Sequence, residues 1–235
     1  MSSQISKQIV VEELVRHIFI KSVVKSMSDE CERRRTEIHV SDVLPEECLR
    51  RAYYSKRFGD CSDAAGMDSI LAAWIGRQVH ETPFINCQHE LELKVSAIVD
   101  GVEVTLHGTA DEVCGVGDDV VIVDKKTTRV TPQRPYDHHV SQVTTYAAMY
   151  ERQFGKRVAF GVLLYINVAT LEFKTFSFEI RQDEALKFLE RLMIRAKVLQ
   201  DAIRSGRAPA PEPGWICKYC AFVGRCAGDE FGRRV

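Results

Sequence analysis

The sequence lacks long hydrophobic runs, internal repeats and any large excess of charge of one sign. Without about 18 consecutive apolar residues it contains no candidate transmembrane helix. The N-terminal stretch MSSQISKQIVVEELVRHIFI lacks the basic segment, apolar segment and cleavage site of a secretory signal. Lys and Arg total 32 against 33 Asp and Glu, a net charge of -1, which excludes a surface that is positive throughout. We therefore expect a cytoplasmic protein with no membrane partner, in which any nucleic-acid binding depends on a local basic patch.

The length and composition are those of a globular protein with a core of its own. The chain has 235 residues, enough for one sizeable domain and a small appendage. Hydrophobic residues make up 45% and charged residues 28%, as in ordinary soluble proteins. The eight cysteines are many for a cytoplasmic chain, in which cysteines more often mark metal or redox sites than disulfides.

The periodicity of apolar residues predicts helices near both ends of the chain and strands in its middle. Predicted helices cover residues 8–35, 46–57, 68–82, 137–154 and 182–205, and predicted strands cover 89–99, 102–114, 119–126, 157–167 and 171–180. This order predicts an α/β sandwich around a mixed sheet. We divide the chain into an N-terminal helical region 1–67, a core 68–205 and a tail 206–235, with the linker SGRAPAPEPGW leading into the tail.

Two aspartates and a lysine lie where the predicted middle strands leave the core. Asp124 and Lys126, in VIVDKKTT, are two positions apart and project from the same face of a strand. If Gly117-Asp118 is the preceding turn, cross-strand pairs sum to 235, and Asp111 lies opposite Asp124. Carboxylates on opposed residues, with Cβ atoms about 4.5–5.5 Å apart, repel unless a cation lies between them, and oxygen ligands suit Mg²⁺ or Mn²⁺. A surface hairpin with cross-strand salt bridges is the alternative.

Four short elements in this order resemble those of the PD-(D/E)XK nucleases of the RecB type. They are Gly76-Arg77-Gln78-Val79-His80, Gly108-Thr109-Ala110-Asp111, Asp124-Lys125-Lys126 and Gln142-Val143-Thr144-Thr145-Tyr146. The resemblance implies a restriction-endonuclease-like mixed β-sheet flanked by helices. It also implies Mg²⁺ or Mn²⁺ bound by His80, Asp111, Asp124 and the carbonyl of Lys125, a catalytic Lys126, and Gln142 and Tyr146 as active-site residues that help contact DNA.

A cysteine motif near the C-terminus predicts a metal centre. Cys217, Cys220 and Cys226 have a spacing that lets three thiolates bind one centre. The segment SDVLPEECLRRAYYSKR around Cys48 resembles the N-terminal cysteine segment of RecB-type nucleases with an iron–sulfur cluster. The resemblance implies that these four cysteines hold a [4Fe–4S] cluster that fastens the chain ends together, with zinc as the alternative. The other cysteines, Cys31, Cys61, Cys87 and Cys114, are interpreted as packing residues.

Basic and aromatic residues follow Cys48, a combination suited to phosphates and unpaired bases. The predicted DNA contacts are Arg50, Arg51, Tyr53, Tyr54 and Arg57, with a solvated helix face as the alternative. A second cationic stretch next to the acids contains Lys125, Arg129, Arg134, His138 and His139.

One early and three late cysteines in a compact chain resemble the CRISPR-associated RecB-like exonucleases. The resemblance implies a metal-dependent exonuclease on single-stranded DNA or frayed ends, which trims prespacer DNA and assists the CRISPR integrase proteins. The N-terminal helix is a candidate surface for homo-oligomer formation. The alternatives are a RecB- or AddB-type repair nuclease, although the sequence has no Walker A motif of a linked helicase, and a non-catalytic DNA-end-binding module held by a cluster or zinc.

Overall fold

The structure, a computed structural model, describes residues 12–23, 25, 36–59 and 67–231. The helices are α1 (residues 12–23), α2 (Val40–Val43), α3 (Leu49–Phe58), α4 (Met67–His80), α5 (Asp137–Phe154), α6 (Gln182–Ser205) and α7 (Val223–Phe231), with a 3-10 helix at Trp215–Tyr219. The strands are β1 (Cys87–Val99), β2 (Val102–Val116), β3 (Asp119–Thr128), β4 (Phe160–Asn167) and β5 (Phe173–Glu179). The remainder of the predicted helix 8–35, apart from residue 25, lies outside the described residues, as do Cys31 and Cys61. Within the described ranges, no helix combines the length and apolar character needed to cross a membrane.

The five strands form one sheet in the order β1-β2-β3-β4-β5. Strands β3 and β4 are parallel, and the other neighbouring pairs are antiparallel. Helix α5 connects the two parallel strands, which need a crossover rather than a tight turn. The predicted mixed sheet flanked by helices is therefore confirmed.

Two tight turns set the register of the first three strands. Asp100 and Gly101 both have positive φ, 48° and 75°, as a type I′ hairpin turn requires, and Val99 pairs with Val102. The next turn, Gly117-Asp118, is closed by the pair Val116–Asp119. This is the turn expected from the sequence.

Helix α5 packs closely on the sheet because two glycines leave room for it. A Cβ atom at Gly161 would lie 2.7 Å from Val143 of α5, and one at Gly108 would lie 2.7 Å from the ring of Tyr146. Helix α6 packs beside α5 and supplies Leu189, Leu192 and Leu199 to the core, all at most 2% exposed. Alternation along β3 places α4 on the opposite face, where Gly76 lies close to the hydroxyl group of Thr127.

Arg195 on α6 holds the N-terminal segment and the tail together. Its guanidinium group donates to the carbonyl oxygens of Val43 and Glu47, at 2.9 and 2.8 Å, and lies 2.8 Å from a carboxylate oxygen of Glu212. The other oxygen of Glu212 accepts a 2.7 Å hydrogen bond from the amide of Leu49, the first residue of α3. The region around Cys48 therefore packs against the cysteine tail.

Cys87 and Cys114 form a disulfide across β1 and β2, where they are register partners. The interpretation of these two cysteines as unpaired packing residues was wrong. Adjacent strands bring opposed side chains close enough for the bond, a proximity that depends on the register.

Candidate active site

The antiparallel pairing of β2 and β3 brings Asp111 and Asp124 together. Pairs from Val116–Asp119 to Glu112–Val123 all have the predicted sum, and Asp111 and Asp124 stand one position beyond the last pair. On the opposite edge of β2, the pairing with β1 skips Glu90 and Asp111, and Glu90 has a positive φ of 46°. The backbone pairing is therefore irregular at Asp111.

Asp111 is held by donors from two other elements. One of its carboxylate oxygens, Oδ2, lies 2.9 Å from Nδ1 of His80 at the end of α4. The same oxygen accepts a 2.6 Å hydrogen bond from the backbone amide of Lys125. The structure therefore brings His80 and Asp111 into direct contact, and their role as metal ligands stays a prediction.

Asp124 is almost completely buried, with 1% of its surface exposed. Nζ of Lys126 lies 2.9 Å from its Oδ2 and 3.2 Å from its Oδ1, but only Oδ1 receives a hydrogen bond with suitable geometry. Burial raises the pKa of Asp124 to about 6; the Lys126 ammonium group opposes this shift, and the Asp111 carboxylate adds to it. A buried carboxylate oxygen without a hydrogen-bond donor, beside a second carboxylate, suits a divalent cation.

The donor set fits a hard cation, although the side chains are not gathered at ligand distances. Among the described residues, no group of three or more His, Cys, Asp or Glu side chains is arranged to hold a metal ion as it stands. Asp124 nevertheless interacts electrostatically with both Asp111 and His80. The two carboxylates match the preference of Mg²⁺ and Mn²⁺ for oxygen ligands, and the imidazole would add one nitrogen ligand.

A short hydrogen-bond chain orients Lys126. Its Nζ donates to Oε1 of Gln142 at 3.0 Å, and Nε2 of Gln142 lies 2.7 Å from the hydroxyl oxygen of Tyr146. Tyr146 is 5% exposed and its ring packs on the backbone at Gly108. The expectation that Tyr146 contacts DNA is not met by this enclosed ring, whose hydroxyl group is connected to Lys126 through Gln142.

Lys125 projects to the other face of β3 and forms a buried ion pair that the sequence interpretation missed. Its Nζ lies 2.8 Å from Oε1 of Glu112, and both side chains are at most 2% exposed. The same Nζ donates to the carbonyl oxygens of His80 and Thr82, at 2.9 and 2.7 Å. His89 contacts the same Glu112 oxygen at 2.9 Å. This pair fastens the C-terminal end of α4 to the sheet, so the side chain of Lys125 is unavailable to phosphates.

His138 and His139 lie beside the site but add little positive charge to it. Nδ1 of His139 lies 2.8 Å from the hydroxyl oxygen of Tyr165. Burial lowers the pKa of His139 to about 3, with the charge of Lys126 adding to the effect, and burial also lowers the pKa of His138. Of the predicted second cationic stretch, only Arg129 and Arg134 are exposed cations.

Most residues predicted to contact DNA after Cys48 are buried. Arg50 is fully buried, and Tyr53 and Tyr54 are 3% and 2% exposed. Arg50 donates to the carbonyl oxygen of Pro209 at 2.6 Å, and the hydroxyl group of Tyr54 donates to Asp229 at 2.5 Å. The prediction of DNA contacts was wrong for these three residues, because this face of α3 packs against the tail.

The other two predicted contacts remain accessible. Arg51 is half-buried and lies 3.0 Å from Glu47, whereas Arg57 is exposed at the end of α3. Contact of these two residues with DNA stays a prediction.

The four cysteines assigned to a cluster are free thiols that line one cavity of about 240 Å³. The amide of Gly214 lies 3.5 Å from Sγ of Cys217, and Nη1 of Arg50 lies 3.7 Å from Sγ of Cys226. Cys48 thus lines the same cavity as Cys217, Cys220 and Cys226 although it is far from them in sequence. Four thiols are the donors that iron–sulfur and zinc centres use, but in the described part of the chain they, like the acids, are not gathered at ligand distances.

The fold and the Asp–Asp–Lys arrangement together define a nuclease. The model of the PD-(D/E)XK nuclease superfamily matches residues 10–227, so the chain belongs to that superfamily, as its sequence motifs indicated. Nucleases of this superfamily generally use divalent metal ions. The chain is 25% identical to the CRISPR-associated exonuclease Cas4 of Thermoproteus tenax over 175 residues, 66% of this chain and 87% of that protein. It shares its fold with the crystal structure of SSO0001 (TM-score 0.61, 19% identity, 92% of this chain and 97% of that one).

Removal of Glu112 should destabilise the protein strongly. We expect Glu112→Ala to lower the free energy of unfolding by about 3–5 kcal/mol, because it leaves the Lys125 ammonium group buried without its counter-charge. Urea unfolding measures the change. The control is Glu190→Ala, which removes an exposed partner of Arg152 at 3.6 Å and should cost under about 1 kcal/mol. If Glu112→Ala unfolds at the same urea concentration as the control variant, the pair does not stabilise the fold.

The half-buried His139 should make the fold less stable as the pH falls. Its pKa drops from 6.5 to about 3 on folding, so between these values the unfolded chain binds more protons. The free energy of unfolding therefore decreases as the pH is lowered through this range. We expect the melting temperature of His139→Gln to fall less than that of the wild type between about pH 7 and pH 5. His17→Gln, which replaces an exposed histidine on α1, should keep the wild-type slope; an identical slope for His139→Gln would contradict the assignment.

Proposed function

We propose that the protein is a metal-dependent DNA exonuclease that acts on single-stranded DNA or frayed ends. The observation that carries this proposal is the pair of carboxylates, Asp111 and Asp124, with Lys126 in contact with the second. Nζ of Lys126 lies 2.9 Å from Oδ2 of the buried Asp124. Membership of the nuclease superfamily supports the same chemistry.

Asp111, Asp124, His80 and the backbone carbonyl group of Lys125 would hold Mg²⁺ or Mn²⁺. A divalent ion there would supply a water of lowered pKa and stabilise charge on a phosphoryl oxygen. Asp124 would bind as the carboxylate, so metal binding would compete with the proton that burial favours at this group. His80 and the Lys125 amide orient the Asp111 carboxylate through their contacts with Oδ2.

Lys126 is proposed to position or deprotonate the attacking water, or to stabilise the negative charge of the transition state. Its ammonium group is held by Asp124 on one side and by Gln142 on the other. Tyr146 fixes Gln142 in turn. The lysine is therefore oriented before any substrate arrives, which reduces the reorganisation that the reaction needs.

A second part of the proposal concerns the four cysteines. We assign them a [4Fe–4S] cluster with a structural role, because they lie on the segments that join the two ends of the described chain. The contacts of Glu212 with Leu49 and Arg195 hold the same segments together. A cluster here would reinforce these contacts rather than take part in the cleavage of DNA.

The biological setting proposed is the trimming of prespacer DNA during CRISPR adaptation, together with integrase proteins. The similarity to the CRISPR-associated exonuclease of Thermoproteus tenax supports this setting. The acids and lysine would equally serve a RecB- or AddB-type repair nuclease, so the setting rests on that similarity.

Replacement of Asp124 should abolish cleavage. With Mn²⁺ and end-labelled single-stranded DNA, we expect Asp124→Ala to reduce the rate at least about 100-fold, since it removes a metal ligand. Asp119→Ala changes an exposed aspartate at the start of the same strand and should leave the rate unchanged. Closed circular single strands should resist degradation if free ends are required. A wild-type protein that binds DNA but never degrades it would instead be the non-catalytic end-binding module.

Anaerobically purified protein should show the absorbance of an iron–sulfur cluster. We expect a broad shoulder near about 400 nm, as thiolate-bound clusters show. Cys220→Ser should remove the shoulder, whereas Cys87→Ala, which breaks only the β1–β2 disulfide, should retain it. A colourless protein that contains about one zinc ion per chain would establish the zinc alternative instead.

A further inference from the structure

A row of aromatic rings runs from the start of α5 to the cysteine tail. It consists of Tyr136 at the start of α5, His138 in the first turn of that helix, and Trp215 at the start of the 3-10 helix. The Tyr136 and His138 rings are nearly parallel, 17° apart with centroids at 5.8 Å, and His138 lies 6.3 Å from Trp215. Tyr136 is 44% exposed and Trp215 is 58% exposed. Large rings therefore present their surface to solvent at both ends of the row.

The row is fixed close to the catalytic lysine. The backbone amide of Tyr136 donates to the hydroxyl oxygen of Tyr165 at 3.1 Å. Tyr165 is the register partner of Lys126 across β3 and β4, so the two backbones are about 4.8 Å apart. A polymer bound to the rings would therefore pass beside the proposed cleavage site.

The loop that precedes the row carries positive charge only. Residues 129–136, between β3 and α5, contain no Asp or Glu; the first acidic residue after them is the exposed Asp137 at the start of α5. Arg129 and Arg134 in this loop are exposed. Exposed guanidinium groups can contact phosphates, and the aromatic rings next to them can stack on bases.

We propose that Tyr136, His138 and Trp215 form a stacking surface for unpaired bases of the DNA strand that enters the active site, with Arg129 and Arg134 contacting its phosphates. This inference rests on the proposed function and names the part of the substrate that the protein recognises. Bases in a duplex are already stacked on one another, so the surface selects single strands.

The two tryptophans of the chain, Trp74 and Trp215, allow a direct measurement. In a Trp74→Phe background, Trp215 is the only tryptophan, and its fluorescence reports on the row. We expect a thymidine oligonucleotide, titrated in EDTA so that it is not cleaved, to quench this fluorescence. An abasic oligonucleotide of the same length carries the same phosphates but no bases; it should bind at least about fivefold more weakly, without quenching.

Substitutions test the same surface independently. Tyr136→Ala and Trp215→Ala should each weaken binding of the thymidine oligonucleotide at least about fivefold, and Trp215→Phe should restore most of the loss. Phe154→Ala is the matched control, because Phe154 is also 44% exposed but lies at the opposite end of α5. Binding of a blunt duplex should be unchanged in all variants.

The outcomes separate this inference from the proposed nuclease activity. Equal binding of abasic and thymidine oligonucleotides by the Trp74→Phe protein, or unchanged affinity of both alanine variants, overturns the stacking surface even if the wild type degrades DNA. Quenching by the thymidine oligonucleotide with reduced affinity of the alanine variants supports the surface, whether or not cleavage is detected.

Discussion

The buried carboxyl group of Asp124 is the constraint around which the site is organised. A carboxylate at 1% exposure, next to a second carboxylate, is unfavourable without compensating charge. Lys126 supplies part of that compensation, and its ammonium group is itself held by Gln142. The proposed divalent cation would supply the rest. The folded protein therefore holds an incompletely compensated negative charge at the position where the proposed reaction requires a cation.

The alternation of side chains along β3 allows three consecutive charged residues to lie at the end of its buried part, because they point to opposite faces of the sheet. Asp124 and Lys126 face α5 and the proposed reaction, whereas Lys125 faces α4 and pairs with Glu112. Lys125 also donates to the carbonyl oxygens of His80, the last residue of α4, and of Thr82 just beyond it, which fixes the position of His80. One strand therefore carries the charges of the proposed reaction on one face and a structural ion pair on the other.

The contacts between the N-terminal segment and the tail give the residues around Cys48 a structural role in place of the predicted contact with DNA. The polar and aromatic side chains of α3 turn inward to meet the tail, with Arg50 bound to Pro209 and Tyr54 to Asp229. These side chains stabilise the contact between α3 and the tail, beside the cavity that the four cysteines line. The exposed rings and cations instead lie on the β3–α5 loop and at Trp215, close to the Asp111–Asp124 site.

Local sequence alone determined the hairpin registers and the helix α6, since turn residues and side-chain periodicity act over a few positions. The four motif elements also indicated the superfamily correctly. Only the tertiary structure decided which face of α3 is buried, that Tyr146 is enclosed and that Lys125 pairs with Glu112. The proximity of Cys87 to Cys114 instead follows from the β1–β2 register that the Asp100-Gly101 turn sets. Periodicity shows which face of a helix or strand is apolar. The segment that packs on the element comes from a distant part of the chain, such as the tail that covers Arg50.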